Sequence, residues 1–518
     1  MERSLPATIS LNTVSQTVTF DFGTVLPEGP GELRLTFTGI LNDRLAGFYR
    51  SKYFVDGQER YMAVTQFEAT DARRALVCWD EPAVKATFDV TLVVPVDRLA
   101  ISNMPVVKTV TDTKAGRREV IFARTPVMST YLLAFVIGEF DFLSTVTPEG
   151  TEVRVYTPVG KTHLGSFAIG VASRALSYYV KRFGIPYPLP KMDLLAIPDF
   201  AAGAMENYGC ITYREVALLI DEVQSSLDRK QRVARTICHE IAHQWFGNMV
   251  TMEWWTHLWL NEGFARFLEF FAVDSLFPEW NIWAQFVSSI QGSALRLDAL
   301  ETSHPIEVTV NHPDEINEIF DTISYAKGAS VIRMLSDFIK PEVFFKGLHN
   351  YLLKHQWANA STEDLWIAFE DASGKQIREM MKTWTTQTGF PLLTLTKTVT
   401  GYSLSQTRFL ASGKAAPGSW NIPISILTSS GTRFVGQLLP GKSLEFQAPE
   451  PWLKINASQI GFYRVIYPDR QFEDLLGIAS TLSFIDRMSL FSDSWWSLCA
   501  SGFFELALIF FFFFFFFF

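Results

Sequence analysis

The sequence predicts a multidomain α+β chain: an N-terminal β domain, a mainly helical central domain, a small second β domain and a helical C-terminal stub. Three observations predict it. Apolar residues recur at period two through roughly the first 150 positions, the period becomes helical in the middle, and strand patterns return after Gly389-Phe390-Pro391. A chain of 518 residues suits three or four domains at about 150 residues each. The divisions fall at 1–150, 151–388, 389–469 and 470–518.

In the first region, Thr17–Phe22, Glu32–Phe37 and Thr87–Val94 alternate apolar and polar residues. Gly/Pro-rich turns such as Pro27-Glu28-Gly29-Pro30-Gly31 separate these strands. Ser166 to Phe183 has helical spacing and stops at Gly184, with Pro186 just beyond. Further helices are expected at about 227–247, 260–273, 325–339, 341–355 and 362–388, and Thr362-Glu363-Asp364 supplies an N-cap for the last. Strands resume at Leu392–Thr396, Ile422–Leu427 and Phe462–Tyr467, with Ala411–Ser419 as a loop between them. From about 470 a helical pattern runs into the chain end. No repeat of 20–50 residues is present.

Composition removes several classes. The chain is 48% hydrophobic, too apolar for disorder. Its 45 basic and 54 acidic residues give a net charge of −9, which argues against binding nucleic acid through phosphates. The four cysteines, Cys78, Cys210, Cys238 and Cys499, are widely spaced without a CxxC pair. That pattern fits a reducing compartment, not a disulfide framework. The amino terminus has no apolar run, and the sequons at Asn359 and Asn456 are weak secretory hints. From Trp495 onward the sequence is nearly all apolar, with Glu505 inside it, and it ends in nine phenylalanines, Phe510–Phe518. It is long enough to cross a bilayer, but it lacks varied packing residues and a flanking basic cluster. It reads better as a truncated or aberrant end of a cytoplasmic chain.

The strongest chemical signal is His239-Glu240-Ile241-Ala242-His243. Residues four apart share a helix face, so both imidazoles can point at one metal while Glu240 reaches a water beside it. Eighteen residues beyond His243, Asn261-Glu262-Gly263-Phe264-Ala265 offers Glu262 as a third ligand. Two histidines and one carboxylate leave one of zinc's four positions open and suit zinc better than manganese or iron. With eight histidines in the chain, a chance HExxH is roughly a one-in-a-hundred event. The plainer alternative is a histidine pair making ordinary hydrogen bonds. Cys238 lies about 100° around the helix from His239 and stays outside the ligand set. Taken alone, Gly203-Ala204-Met205-Glu206-Asn207 reads as a turn ending a strand, Glu68 as a surface charge, and Tyr325 as a core aromatic of an amphipathic helix.

Together these motifs resemble the zinc aminopeptidase family that includes aminopeptidase N and puromycin-sensitive aminopeptidase. The puromycin-sensitive branch is indicated by Gly47–Tyr53, Gln66–Arg74, Pro126–Tyr131 and Val250–Trp255. The resemblance runs from about residue 30 to about 490. It implies a saddle-like β domain, a thermolysin-like catalytic domain, a β-sandwich and a helical C-terminal domain. It implies one zinc per chain, held by His239, His243 and Glu262, with Glu240 as general base and Tyr325 as the hydrogen-bond donor to the oxyanion. Glu206 and Glu68 match the pair that binds the free α-amine of a peptide. Gly203 and Ala204 would align the substrate as an added strand, Met205 and Asn207 complete that segment, and Gln66 matches a residue of the first pocket. The implied partners are peptides with a free N-terminus.

Some positions depart from the pattern. Tyr208 stands where tryptophan is frequent, Cys238 precedes the first ligand, and Arg266 follows Asn-Glu-Gly-Phe-Ala. Both chain ends are shorter than the resemblance leads one to expect. The runner-up reading is therefore a catalytically impaired, truncated relative that binds zinc or peptide without efficient turnover. An epoxide hydrolase of the leukotriene type shares the zinc motif, but it carries glycine where Ala204 stands, and Gln244-Trp245-Phe246-Gly247-Asn248 fits the peptidases.

Overall fold

The computed structural model describes residues 5–500, with side chains through residue 497. Near the start, Gly47–Val55, Gln58–Gln66, Phe135–Gly138 and Leu99–Ser102 lie in that spatial order in one antiparallel sheet. Thr91–Pro95, Arg117–Phe122 and Val106–Asp112 form a second, three-stranded sheet. A hairpin, Thr8–Asn12 with Thr17–Asp21, precedes both. The alternation at Glu32–Phe37 does not become a strand. Among the described residues no neighbouring strand supplies a hydrogen-bonding ladder, and Leu33 and Phe37 remain exposed, so the pattern has no buried face to specify it. The strand expected from Thr87 begins only at Thr91.

The next sheet holds five strands in the order Phe140–Val146, Glu152–Pro158, Lys191–Ile197, Cys210–Arg214, Ala204–Met205. Its central pairings are parallel and its two outer ones antiparallel. Position 150 lies in the turn of the first hairpin, whose two strands belong to this one sheet. Lys191–Ile197 is buried at every residue, as expected of an inner parallel strand covered on both faces. Ala204–Met205 forms the sheet edge.

Helices follow. Ser166–Phe183 ends at Gly184, whose φ of 65° is the left-handed cap conformation glycine adopts freely. It packs on Leu227–His243, which packs in turn on Trp259–Leu276. Gly328–Ile339 and Pro341–His355 match expectation. The long helix expected at 362–388 is two, Thr362–Ser373 and Ile377–Thr385, because Gly374 takes the left-handed conformation between them. Its cap is Ser361, whose hydroxyl accepts from Asp364 N while Asp364 accepts from Ser361 N.

Beyond Gly389 two small sheets form. One orders Leu444–Phe446, Tyr402–Arg408, Pro391–Lys397 and Arg464–Ile466; the other orders Gly431–Leu438, Ile422–Thr428 and Leu453–Ile455. The strand expected at Phe462–Tyr467 is limited to Arg464–Ile466. The final described helix, Phe484–Ala500, is tied to these sheets by two buried ion pairs, Arg464–Asp493 and Lys454–Asp486, each at 3.2 Å. Among the described residues no helix is long and apolar enough to cross a membrane. The phenylalanine run lies outside them.

Candidate metal centre

The helix Leu227–His243 starts at Ser226, whose hydroxyl accepts from Arg229 N at 3.3 Å. Its last turns are wholly buried, so His239 and His243 leave on one face into the protein interior. Trp259–Leu276 runs against it and presents Glu262 from its first turn. A third segment, Ile323–Lys327, forms a π-turn leading into Gly328–Ile339 and carries Tyr325. It approaches Glu262 closely because two glycines meet. A Cβ on Gly263 would come within 3.3 Å of the Gly328 Cα and of the Ser324 carbonyl oxygen. A Cβ at either position would need the facing backbone to give by a few tenths of an ångström.

The three predicted ligands converge. His239 Nε2 lies 3.1 Å from His243 Nε2 and 3.2 Å from a Glu262 oxygen, which is 3.4 Å from His243 Nε2. The other ring nitrogens are committed: His239 Nδ1 donates to Glu269 at 2.9 Å and His243 Nδ1 donates to the Phe246 carbonyl at 2.9 Å. In neutral rings both Nε2 atoms therefore carry lone pairs. Three acceptor atoms so close, with no proton between them, repel unless they share a cation. A tetrahedral ion with bonds of roughly 2.0–2.1 Å spaces its ligands about 3.3 Å apart, which is the size of this triangle. The donor set fits zinc.

Electrostatics point the same way. Glu206, Glu240 and His243 also bring ligand atoms within 4.8 Å of one another. Burial raises the Glu240 carboxyl to about 8, against the pull of both imidazoles. Burial raises Glu206, and burial together with the Glu206 charge raises Glu68 well above the usual carboxylate range. Burial would raise Glu262 as well, but attraction to His243 and the close approach of both imidazoles outweigh it and hold that carboxyl low. Burial disfavours the imidazolium of His243, yet Glu206 and Glu262 raise its pKa well above the ordinary value. Four carboxyl groups face two imidazoles, and the raised carboxyl and imidazole pKa values alike register a shortage of positive charge.

Two carboxylate oxygens show where some of it is missing. Glu68 Oε1 and Glu206 Oε1 are sealed from solvent without a hydrogen-bond partner. Gln66, at the end of its strand, leaves Oε1 in the same condition. Glu206 is fixed through its backbone: its carbonyl accepts from Asn248 Nδ2 at 2.8 Å and from Gln244 Nε2 at 3.2 Å. Asn207 turns inward, its Nδ2 donating to the Cys210 carbonyl and the Thr212 hydroxyl, and Met205 is buried. Gly203 is exposed and Ala204 half-buried on the edge strand. Tyr325 stacks on the His239 ring at 6.2 Å and 13°. Burial and the Glu262 charge hold its phenol well above the ordinary pKa.

The sequence reading did not include Glu269. It is fully buried and accepts from His239 and, at 2.9 and 3.0 Å, from Arg266. Its position seven residues after Glu262, two helical turns along the same face, was the available signal. Arg266 also covers the Tyr325 ring at 5.5 Å, which explains how that unusual residue is accommodated. Tyr131 and Asn261 complete the wall, with Tyr131 donating to the Gly247 carbonyl at 3.2 Å.

Two imidazoles and a carboxylate at one point, with a spare buried glutamate alongside, form a donor set able to hold a divalent metal ion. Two family models match the chain: the peptidase family M1 domain over residues 167–384 and the peptidase M1 N-terminal domain over residues 4–132. The chain belongs to peptidase family M1. Aminopeptidase M1 of Arabidopsis thaliana is 50% identical over 494 residues, covering 92% of this chain and 56% of that protein. The puromycin-sensitive aminopeptidase of Caenorhabditis elegans is 45% identical over 477 residues, covering 89% and 50%. The alanine/arginine aminopeptidase of Saccharomyces cerevisiae is 45% identical over 499 residues, covering 95% and 58%. The chain thus spans about half the length of these curated relatives.

Proposed function

We propose that this chain is a zinc aminopeptidase that removes N-terminal residues from peptides. The observation that carries the reading is the pair of sealed oxygens without a hydrogen-bond partner on Glu68 and Glu206, two carboxyls that interact electrostatically with the ligand triangle. A peptide's free α-amine has a pKa near 8 and is mostly cationic at neutral pH. It supplies the charge and hydrogen bonds those oxygens lack. An internal peptide segment would leave them unpaired at a desolvation cost of about 1–3 kcal/mol or more.

His239, His243 and Glu262 would hold zinc, which when bound supplies a Lewis acid and lowers the pKa of water. Glu240 accepts a proton from the attacking water and delivers it to the leaving amine. Its place on the ligand helix, between His239 and His243, puts the carboxyl beside the position open to water. Tyr325 donates its phenolic hydrogen to the oxygen that gains charge, and its raised pKa keeps that proton available. Ala204 lies on the edge strand, whose free side a substrate can join as a further strand, while the preceding Gly203 carbonyl accepts from Arg214 N at 3.0 Å and ties that edge to the sheet. The family and the relatives' names support an aminopeptidase. The three described cysteines, none in a disulfide, suit a cytoplasmic setting.

The test is hydrolysis of an unblocked aminoacyl anilide alongside its N-acetylated counterpart. Turnover of the first only, lost on chelation, restored by zinc and lost in Glu240→Ala, supports the proposal. Activity that survives both chelation and Glu240→Ala refutes it. One zinc per chain without turnover supports the impaired relative instead.

A further inference from the structure

Tyr325 sits on a π-turn, an uncommon geometry that here receives support from outside the segment. That support comes from one loop, residues 298–305, which reaches both ends of it. At the N-terminal end, Asp321 Oδ1 accepts from Ile323 N at 2.9 Å and Ser324 N at 3.1 Å, and the Asp321 carbonyl accepts from Tyr325 N at 3.1 Å. The other carboxylate oxygen accepts from His304 Nε2 at 2.9 Å, while His304 Nδ1 donates to the Pro305 carbonyl at 2.7 Å. Both imidazole nitrogens face acceptors, so His304 is held in one orientation.

At the C-terminal end, Lys327 pairs with Asp298 at 2.9 Å, both side chains wholly buried. Asp298 Oδ1 accepts from Ser303 Oγ at 2.8 Å and from Gly389 N at 2.9 Å, and Lys327 donates to the Gly389 carbonyl at 3.1 Å. The same loop that supplies Asp298 and Ser303 also supplies His304. Because Gly389 opens the second β region, the clamp ties the tyrosine to the junction between that region and the helices.

We propose that His304, Asp321, Asp298 and Lys327 are positioning residues that set where the Tyr325 hydroxyl lies relative to the ligand triangle. The inference rests on the aminopeptidase reading, in which that hydroxyl meets the developing charge. A misplacement of about 1 Å can cost up to about 100-fold in rate.

The primary test is a double-mutant cycle on the anilide substrate in the zinc-loaded chain. His304→Ala is expected to lower kcat between about 10- and 100-fold, with KM within about twofold and zinc content unchanged. In the Tyr325→Phe background the same change should cost little more, and His304→Gln, which retains a donor to Asp321, should recover part of the loss. Equal losses in both backgrounds, or no loss, overturn the clamp. An activity-independent measurement separates this from failure of the functional reading. In His304→Ala, amide hydrogen exchange over 323–327 should quicken while that over 227–243 does not, and unchanged exchange at 323–327 overturns the proposal even if the wild-type chain proves inactive.

Discussion

His239 and Tyr325 stack ring to ring at 6.2 Å, but the segments that carry them are organised differently. The histidine stands on a regular, capped helix of 17 residues, and its partner His243 is placed by the helical repeat. The tyrosine stands on a π-turn whose ends are anchored by a loop more than 15 positions upstream and by the backbone of Gly389. One half of the site is built by local periodicity, the other by long-range polar contacts. The difference teaches that metal binding and oxyanion stabilisation should fail largely independently, since their hydrogen-bonded supports differ and Arg266 and the Gly263–Gly328 contact are what they share.

Glu240→Ala should have the largest effect, a loss of about 10²–10⁴-fold in kcat with zinc content unchanged, read by steady-state kinetics and a metal assay. Tyr325→Phe should follow at about 10²-fold or more in kcat, the equivalent of a lost oxyanion donor, again with full metal content. If Tyr325→Phe releases zinc, the two halves are not separate. Glu269→Gln probes the histidine side and should weaken zinc affinity about 10–100-fold in a chelator competition, while turnover at saturating zinc changes less.

Gly328→Ala sharpens the contrast from the packing side. The added methyl meets the Gly263 Cα at 3.3 Å, so overpacking of about 1–3 kcal/mol should exceed the gain of up to about 1 kcal/mol in helix propensity. Denaturant unfolding measures the balance, and a stabilised variant would show that the helices separate freely. The smallest effect concerns pH. Its hydrogen bond to Asp321 raises the His304 pKa above the unfolded value. Its contribution to stability is then complete below about pH 6.5 and is lost as pH rises through the folded-state pKa. The Tm difference between wild type and His304→Ala should therefore shrink on going from mildly acidic to alkaline buffer.

Much of the site was legible because its spacing is short-range. His239, Glu240 and His243 lie within one and a half helical turns, and Ala204–Met205 lies on a strand. Glu262 was reachable from the spacing of the motifs, and the structure brings it to the histidines. Glu269 escaped notice because an acidic residue inside a helix looks like a surface charge until burial is known. Glu32–Phe37 misled for the opposite reason: its alternation is clear, but a strand also needs a partner. The helix expected at 362–388 broke at Gly374 because a glycine there caps as readily as it continues.

From the sequence alone came the candidate ligand set, the proposed general base, the order of sheet-rich and helical regions and the family resemblance, all carried by periodicities and motifs written in neighbouring residues. The tertiary structure decided what depends on distant groups meeting. It set the tautomers of His239 and His243 through Glu269 and Phe246, sealed the unpaired oxygens of Glu68 and Glu206, and clamped the Tyr325 turn between Asp298 and His304. Hydrogen bonding and desolvation depend on three-dimensional neighbours, and no spacing along the chain specifies those.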